Sequence, residues 1–507
     1  MSLLINAAQR VVNAVWSATH RSRPETRARV MKRSFNGAKI TNLASGWATT
    51  PKPIDVDIRN GLQRLRARAR HEAENNDHVR SFLRLSKTNI VGHHGIILQA
   101  RVKDPDGTQD VLANQSIEAA WSNWGRRGSA DVTGLLSWKM IQRLFIETLM
   151  RDGEVLIRKI LDKRFNKYEF ALQFIDVDLL DVDLNIDLPN GNSIRMGVEM
   201  DQYRRPVRYH LGKGAGRGHE VIPANQIYHA FLPEWVWQTR GIPPTATALL
   251  RLNMLSGYEE AELVAARVAA AKMGFFEERD DDAIDRNNPV MGAGERNDQG
   301  EFVTDAEAGS FEVLPSGYTF KPWDPQHPNT AYGQFTRDML RGIASGLGVN
   351  YNAYANDYEK VNFSSLRQGA LNERDVWMMM QDWMIEAFCD PVYRDWLKFA
   401  LTRQVITVMG KPLKDTRFDK YTQIAWQPRR WQWVDPQKEM NAHDLAIRLK
   451  VRSPQQVIRE QGGDPETVLD EWSQWDQMLK DRNLTMEPAT QAGSSIQGDG
   501  NATQNQQ

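Results

Sequence analysis

WDPQHPNTAYGQFTRDMLRGIASGLGVNYNAYANDYEKVNFSSLRQGALNERDVW, residues 323–377, orders two helices around a polar loop. Phe335, Met339, Ile343 and Leu347 recur at i, i+4 and lay one apolar stripe along a helix over 331–347. Gly346 and Gly348 offer the left-handed backbone that ends it. Ser365 followed by Gln368 reads as a capping box, so a second helix is expected from Leu366. It should stop near Phe388 or Cys389, ahead of Pro391. Between the helices, residues 348–364 carry Asn350, Tyr351, Asn352, Tyr354, Asn356, Asp357, Tyr358, Lys360 and Asn362. A loop this polar is solvated or faces a ligand.

The rest of the chain sets the scale. Its 507 residues, 41% of them apolar, suggest about three domains at about 150 residues each. Even the most apolar helical stretch, 263–276, is interrupted by Arg267 and Lys272, so no membrane span is expected. The start, MSLLINAAQRVVNAVW, lacks a basic leader and a small-residue cleavage site, so no secretory signal is expected. The single Cys389 cannot form an intramolecular disulfide, and its apolar helix end predicts a buried thiol in a reducing compartment.

Lys and Arg number 64, as do Asp and Glu, so the formal net charge is zero. A protein that grips DNA tightly usually carries a basic domain, because each neutralised phosphate releases a counterion. Here the charges are polarised along the chain: residues 1–101 hold 18 basic against 6 acidic residues, and residues 277–312 hold 12 acidic against 3 basic.

After a Pro-marked linker at Pro51 and Pro53, residues 62–85 read as a helix bearing RLRARAR, either a solvated surface strip balanced by Glu72 and Glu74 or a nucleic-acid contact. An amphipathic helix over 135–151 ends at Gly153, and two strands, 154–161 and 168–175, follow, which makes this an α+β region. IDVDLLDVDLNID offers Asp176, Asp178, Asp181 and Asp183 as hard oxygen ligands. The calcium-loop pattern fails, since Leu188 stands at the glycine position and Ile194 at the closing acid. Turn acids at a strand edge are the competing reading.

A long helix is expected over 245–273, with Ala261, Ala265, Ala266, Ala269 and Ala270 letting a neighbouring helix approach closely. It is either a wall between identical subunits or a buried helix of a bundle. The acidic stretch after it predicts strands at 311–314 and 318–321 across a Pro315-Ser316-Gly317 turn. Asp435-Pro436, Ser453-Pro454 and Asp464-Pro465 each place a capping side chain before a proline, which starts three short helices. Trp426, Arg429, Arg430, Trp431 and Trp433 either stack on bases or pair internally as cation–π contacts. From Pro488 the composition is that of a disordered tail.

No phosphate-binding G-x-x-x-x-G-K-[ST] loop, HExxH or cysteine cluster occurs, and the glycines of 212–218 lack the phosphate-loop lysine. Neither an enzyme nor a cofactor is expected. A terminase-like DNA-packaging or processing enzyme would need an ATP loop or a carboxylate cluster, and another connector or tail structural protein would not explain the order of the helices and loop.

That order resembles the lambda-like portal proteins of tailed bacteriophages. The resemblance rests on DPQHPN (324–329), GIASGLGVNY (342–351) and DYEKVNFSSLR (357–367), and upstream on LRARARHEAENNDHVRSFLRLSKTNIVGHHG (65–95), LQFIDVDLL (172–180), IRMGVEMDQYRRPVRYHL (194–211) and VIPANQIYHAFLPEWVWQTRGIPP (221–244). It spans 62–469, with departures at His93 and His94, which displace a glycine, and at Glu72 and Glu74. It implies an α+β portal fold: an N-terminal arm (1–61), a mixed α/β wing (62–243), a first stem helix (244–273), a small α/β clip (274–327), a second stem helix (328–347), a tunnel loop (348–364), a wing return of helix and strands (365–434), a helical crown (435–487) and a tail (488–507).

The resemblance further implies a homo-oligomeric ring, a dodecamer as in the family, at one capsid vertex of the virion, assembled in the host cytoplasm. Double-stranded DNA would pass through it for packaging and ejection. The implied partners are the terminase large subunit, the major capsid and scaffold proteins and the head-completion proteins, with no membrane. Tyr351, Tyr354, Lys360 and Asn362 are expected to face DNA, Asp280, Asp281 and Asp282 to dock the motor or a connector, and Ala261, Ala265 and Ala269 to pack the ring.

Overall fold

The computed structural model describes residues 46, 48–213, 218–270, 331–359, 361–431, 436–463, 465–482 and 484, with four short strands between 274 and 322. The chain divides into two compact units, Met1–Pro53 and Ile54–Gln507. The described residues of the first are exposed. The expected strand at 311–314 and the tail from Pro488 lie outside the described residues.

In the second unit, helix α1, Ile54–Asn75, carries Asp55 and Asp57 in its first turn, where carboxylates meet the positive end of the helix dipole. Asn76 leaves the helical region (φ −111°, ψ 121°), and its side chain accepts from the N–H groups of His78 and Val79. Helix α2, Asp77–Ser86, restarts there. The single helix expected over 62–85 is therefore two, because asparagine caps a helix better than it propagates one. A π-helical turn, Lys87–Val91, leads to strand β1, Ile97–Ala100.

Helix α3, Val111–Trp124, and helix α4, Trp138–Asp152, follow. Ser137 caps α4 by accepting from Met140 N–H, and Gly153 ends it at φ 85°. Strands β2 (Glu154–Ile160) and β3 (Ala171–Ile175) pair antiparallel. An antiparallel meander comes next: β4 (Ile186–Asp187), β5 (Ser193–Arg195), β6 (Val198–Met200), β7 (Pro206–Gly212) and β8 (His219–Pro223). Strand β9, Ile227–Phe231, then returns to the open edge of β2.

A 3-10 turn, Pro244–Thr247, precedes helix α5, Leu249–Ala270, which thus starts later than the expected Thr245. Strand β10, Gly274–Glu278, a small pair β11 (Glu295–Arg296) and β12 (Phe302–Val303), and strand β13, Tyr318–Pro322, come before helix α6, Tyr332–Leu347. The strand expected at 318–321 is present. Its partner is β10, with Gly274 opposite Pro322 and Glu278 opposite Tyr318.

Helix α7, Tyr351–Ala355, is a single short turn, and helix α8 is Phe363–Met384. Asn362, not Ser365, caps α8: its side chain accepts from Ser365 N–H at 2.8 Å, while Gln368 turns to Asn372. The capping box named the right chemistry three residues too late. Pro391 does not end the helix either. A π-turn, Ile385–Cys389, connects α8 to helix α9, Asp390–Thr402. The N–H of Asp390 bonds to the Ile385 carbonyl, so Pro391 falls in the first turn of α9, where no donor is required of it. The continuous run 363–402 is therefore longer than the 22 residues of α5.

A hairpin of β14 (Thr407–Val408) and β15 (Lys411–Pro412), helix α10 (Phe418–Tyr421) and strand β16 (Ile424–Gln427) follow. β16 pairs antiparallel with β1, which ties the chain's late segment to its early one. Helices α11 (Pro436–Arg448), α12 (Pro454–Glu460) and α13 (Pro465–Asp481) each begin on a proline as expected. Ser453 caps α12 by accepting from Gln456 N–H.

The main core is aromatic. Trp121 lies 4.7 Å from Trp124, 5.3 Å from Trp138 and 5.0 Å from Trp396, ring centre to ring centre. Such rings dominate core energetics through their area and favour offset or edge-on contacts. Trp426, on β16, joins the cluster at 6.0 Å from Trp121. Arg429 sits over Trp431 at 5.7 Å, and both reach Asn89 Oδ1. Of the two readings of that segment, the internal one holds for these residues. Trp433 lies outside the described residues.

The RLRARAR strip is not a solvated face throughout. Arg66 is 1% exposed and donates to Glu154 at 2.6 Å and to Asp178. Arg70 donates to Asp152 at 2.8 Å, Asp176 at 2.9 Å and Asp178 at 2.7 Å. Two of the acids weighed as metal ligands thus neutralise the helix, and Asp181 meets His219 at 3.3 Å. Among the described residues no cluster of His, Cys, Asp and Glu is arranged to hold a metal, and no helix is long and apolar enough to cross a membrane.

Candidate functional site

Helices α5 and α6 lie side by side. Tyr258 stacks on Tyr332 at 5.8 Å and meets Phe335 edge-on at 4.9 Å. Toward the other end of α6, Thr247 donates to the Gly346 carbonyl at 3.4 Å. Arg251 crosses Gly342 so closely that a Cβ there would lie 2.4 Å from its guanidinium. Leu340, Ile343, Ala344 and Leu347 are buried, while Phe335, at the head of the expected stripe, stays 46% exposed against Tyr258.

Gly348, at φ 69°, ends α6 through its N–H to Ala344 and Ser345. The loop that follows is braced. Asn350 caps α7 and takes a hydrogen bond from Asn352 N–H, while its own N–H donates to Glu373 at 3.2 Å. Burial pushes the Glu373 carboxyl up, against that N–H. Asn356 closes α7 in the left-handed conformation, which asparagine tolerates.

Tyr354 is 2% exposed, and its main-chain carbonyl accepts from Ser81 at 3.1 Å. The expectation that it faces water or a ligand is corrected: the residues before it form a helical turn that aims the ring into the core, against α2. Tyr351 is half-buried, with its hydroxyl donating to Asp357 at 2.7 Å. That hydroxyl, with Arg337, holds the Asp357 carboxyl below the usual carboxylate range.

Arg337, on α6, reaches Asp357 at 3.2 Å and Glu359 at 2.6 Å. The described partner of both carboxylates is Arg337. Only the folded geometry brings the three charges together, and the signal in the sequence was limited to an arginine on the α6 face away from the apolar stripe. Tyr358 (50% exposed), Glu359 and the capping Asn362 remain open to solvent. Lys360 lies outside the described residues, as do Asp280, Asp281 and Asp282.

On α5, Ala261 is exposed and Ala265 half-buried, and the side chain of Ala269 lies outside the described residues. The larger apolar residues of this helix, which sequence reasoning passed over, are more telling. Leu250 is 72% exposed, Met254 61%, Leu263 63% and Val264 50%.

The described residues thus define an α+β protein built around a helix pair and a braced loop. The family described as "Phage portal protein, lambda family" matches residues 41–381, and the chain belongs to that family. The "Probable portal protein" of Halomonas phage phiHAP-1 is 35% identical over 485 residues, covering 94% of this chain and 92% of that protein. "Portal protein B" of Escherichia phage lambda is 20% identical over 474 residues, covering 85% and 87%. A solved chain from the neck of an empty GTA particle, computed with C6 symmetry, covers 83% of this chain and 97% of its own length at 15% identity and a TM-score of 0.43.

Proposed function

We propose that this portal protein forms a closed ring of identical subunits at one capsid vertex, a dodecamer, through which double-stranded DNA is packaged and ejected. The observation that carries the ring is the exposed apolar flank of α5: a helix that leaves Leu250, Met254 and Val264 on one side in water as a single chain buries them when a neighbouring copy packs on it. A head-to-tail ring uses a different patch on each side of the subunit.

In this reading α5 and α6 form the stem, and the segment between them is the clip. There the acids around Asp280, Asp281 and Asp282 dock a basic surface of the packaging motor or of a head-completion protein. The loop 348–364 lines the channel through Tyr358, Lys360 and Asn362, with Tyr351 behind them and Tyr354 serving as its anchor. Contact with DNA there is weak and sequence-independent, because Asp357 and Glu359, both paired with Arg337, also offset Lys360 and leave no cationic collar. The subunit does no chemistry of its own, and ATP hydrolysis belongs to the docked motor.

Light scattering combined with negative-stain end views tests the ring. Closed rings of one size are expected from the purified chain, and a monodisperse monomer under assembly conditions overturns the reading.

A further inference from the structure

Two turns of the second unit meet at a spot that neither the core nor the stem helices use. Tyr203, between β6 and β7, is 76% exposed, and Trp235, Val236 and Trp237, between β9 and the turn before α5, are 57%, 85% and 71% exposed. Arg204 joins the turns. It donates to the Trp237 carbonyl at 2.9 Å, and its guanidinium stands 5.8 Å from the Trp237 ring. Arg204 and Trp237 both hold a left-handed backbone, φ 63° and 66°, which is strained for residues of this size.

The strain is over-determined by the surroundings. Gln238 accepts from the N–H groups of Glu234 at 3.0 Å and Trp235 at 3.1 Å, and donates to the Arg240 carbonyl. Asp55 accepts from Arg204 at 2.6 Å and from both the N–H and the hydroxyl of Thr239. The tip is rigid and aromatic. Trp, Tyr and Arg held in one conformation are the composition of an interface hot spot, and pre-organisation lowers the ordering cost of binding.

The same chain carries a groove of matching chemistry, of about 510 Å³, with Leu136, Met140 and Leu144 on its apolar side. Met140 is 42% exposed, and the neighbouring Leu135 is 57% exposed. On its rim Lys87 is paired with Glu147 and Arg143 with the carbonyls of Gly92 and His93. Arg84 has no carboxylate partner among the described residues, whereas Glu234, on the tip, is exposed. Knob and groove are complementary in shape class, apolarity and charge.

A chain cannot satisfy both with itself. The groove's Met140 is in the first turn of α4, and the tip is tethered beyond its last turn, where a Cβ on Gly241 would lie 2.1 Å from the Gly153 carbonyl oxygen. From Met140 to Gly153 the helix spans about 20 Å at about 1.5 Å per residue, and the braced tip does not reach across it.

We propose that the Trp235-Val236-Trp237 tip of one copy seats in the Leu136–Met140 groove of the next, with Glu234 facing Arg84. This contact rests on the ring reading and gives it a named head-to-tail joint.

The test uses the full chain with Val236→Cys and Met140→Cys together, oxidised under assembly conditions. Cys389 is fully buried and stays out of the reaction. A covalent ladder rising to ring size is expected from the double variant and from neither single variant. Rings without a ladder overturn the joint and leave the ring intact, as does a ladder from Val236→Cys alone, which would mean tip against tip. A wild-type chain that forms no ring overturns both.

Charge reversal supplies a second measure. Glu234→Arg and Arg84→Glu should each raise the concentration needed for half-assembly at least tenfold, and together restore it. Rings that assemble normally with both Trp235→Ser and Trp237→Gly, but lose capture of another virion component, overturn the joint in favour of that partner.

Discussion

Arg240 grips Glu154 with both side chains fully buried: Nε donates to the two carboxylate oxygens at 2.9 Å and Nη2 donates to Oε1 at 2.6 Å. The same carboxylate accepts from Arg66 and from the Gly241 N–H, and meets His229 at 2.9 Å. Arg240 also donates to the carbonyls of Val177, Leu180 and Met196. One buried ion pair therefore pins α1, β2, the meander and the approach to α5 to one another.

Removing the carboxylate should be severe. Glu154→Gln leaves the buried Arg240 guanidinium without a carboxylate and takes from Arg66 one of its two, and is expected to cost about 3–5 kcal/mol in denaturant unfolding of the subunit. The pH dependence has a definite sign. Burial pushes the Glu154 carboxyl up, but Arg240 and His229 outweigh it and hold the group well below the usual range. Its contribution is present above about pH 4.3, the unfolded value, and is lost as pH falls through the depressed folded one. Glu154→Gln should flatten that acid limb; an unchanged slope would assign acid sensitivity elsewhere.

Gly153 and Gly241 test the closeness of the same junction. A Cβ on Gly153 would lie 2.3 Å from the Ile242 carbonyl carbon at φ 85°, whereas one on Gly107, at φ 87°, meets nothing within 4 Å. Gly107→Ala should cost only the backbone term, about 1–2 kcal/mol. Gly153→Ala adds a main-chain clash and should exceed it by at least about 1–3 kcal/mol. Equal melting temperatures for the two variants would contradict the junction geometry.

Tyr354 and Tyr358 separate anchor from channel lining. Tyr354→Ala should destabilise the subunit by about 3–5 kcal/mol, as expected for a buried aromatic. Tyr354→Phe should be neutral within about 1 kcal/mol, since its hydroxyl has no hydrogen-bond partner among the described residues. Tyr358→Ala with Lys360→Ala should leave stability and ring size unchanged while lowering the DNA retained in filled heads. Normal filling by that double variant would remove the loop from the channel.

Charge reversal at Asp280, Asp281 and Asp282 to Lys should weaken capture of the packaging motor and reduce its dependence on salt, with rings still formed. A pull-down that is unchanged across ionic strength would exclude electrostatic docking at this segment.

Much of the architecture was legible because it is local. The i, i+4 stripe of α6, the glycine that ends it, Gly153 at the end of α4, and the prolines opening α11 to α13 are all short-range chemistry acting within a few residues. Local rules failed where two local options competed. Asn362 and Ser365 both cap helices, and the chain uses the earlier. Pro391 breaks an α-helical ladder, yet a preceding π-turn places it where no donor is missed. The pairing of β13 with β10, rather than with a nearby strand, depends on two helices returning the chain to the same end.

By itself the sequence determined the helices flanking the loop, the polarised charge, the lack of nucleotide and metal motifs and, through ordered motifs spread over most of its length, the portal family. Only the tertiary structure decided which of its polar residues are partnered. Arg66 and Arg70 looked like a solvated strip and are taken up by Glu154, Asp152, Asp176 and Asp178. Tyr354 looked like a loop residue and is core, while Trp235 and Trp237 carry core chemistry and stand in water. The physical reason is that burial and ion pairing are set by segments distant in the chain, and no local pattern encodes which of those segments arrive together.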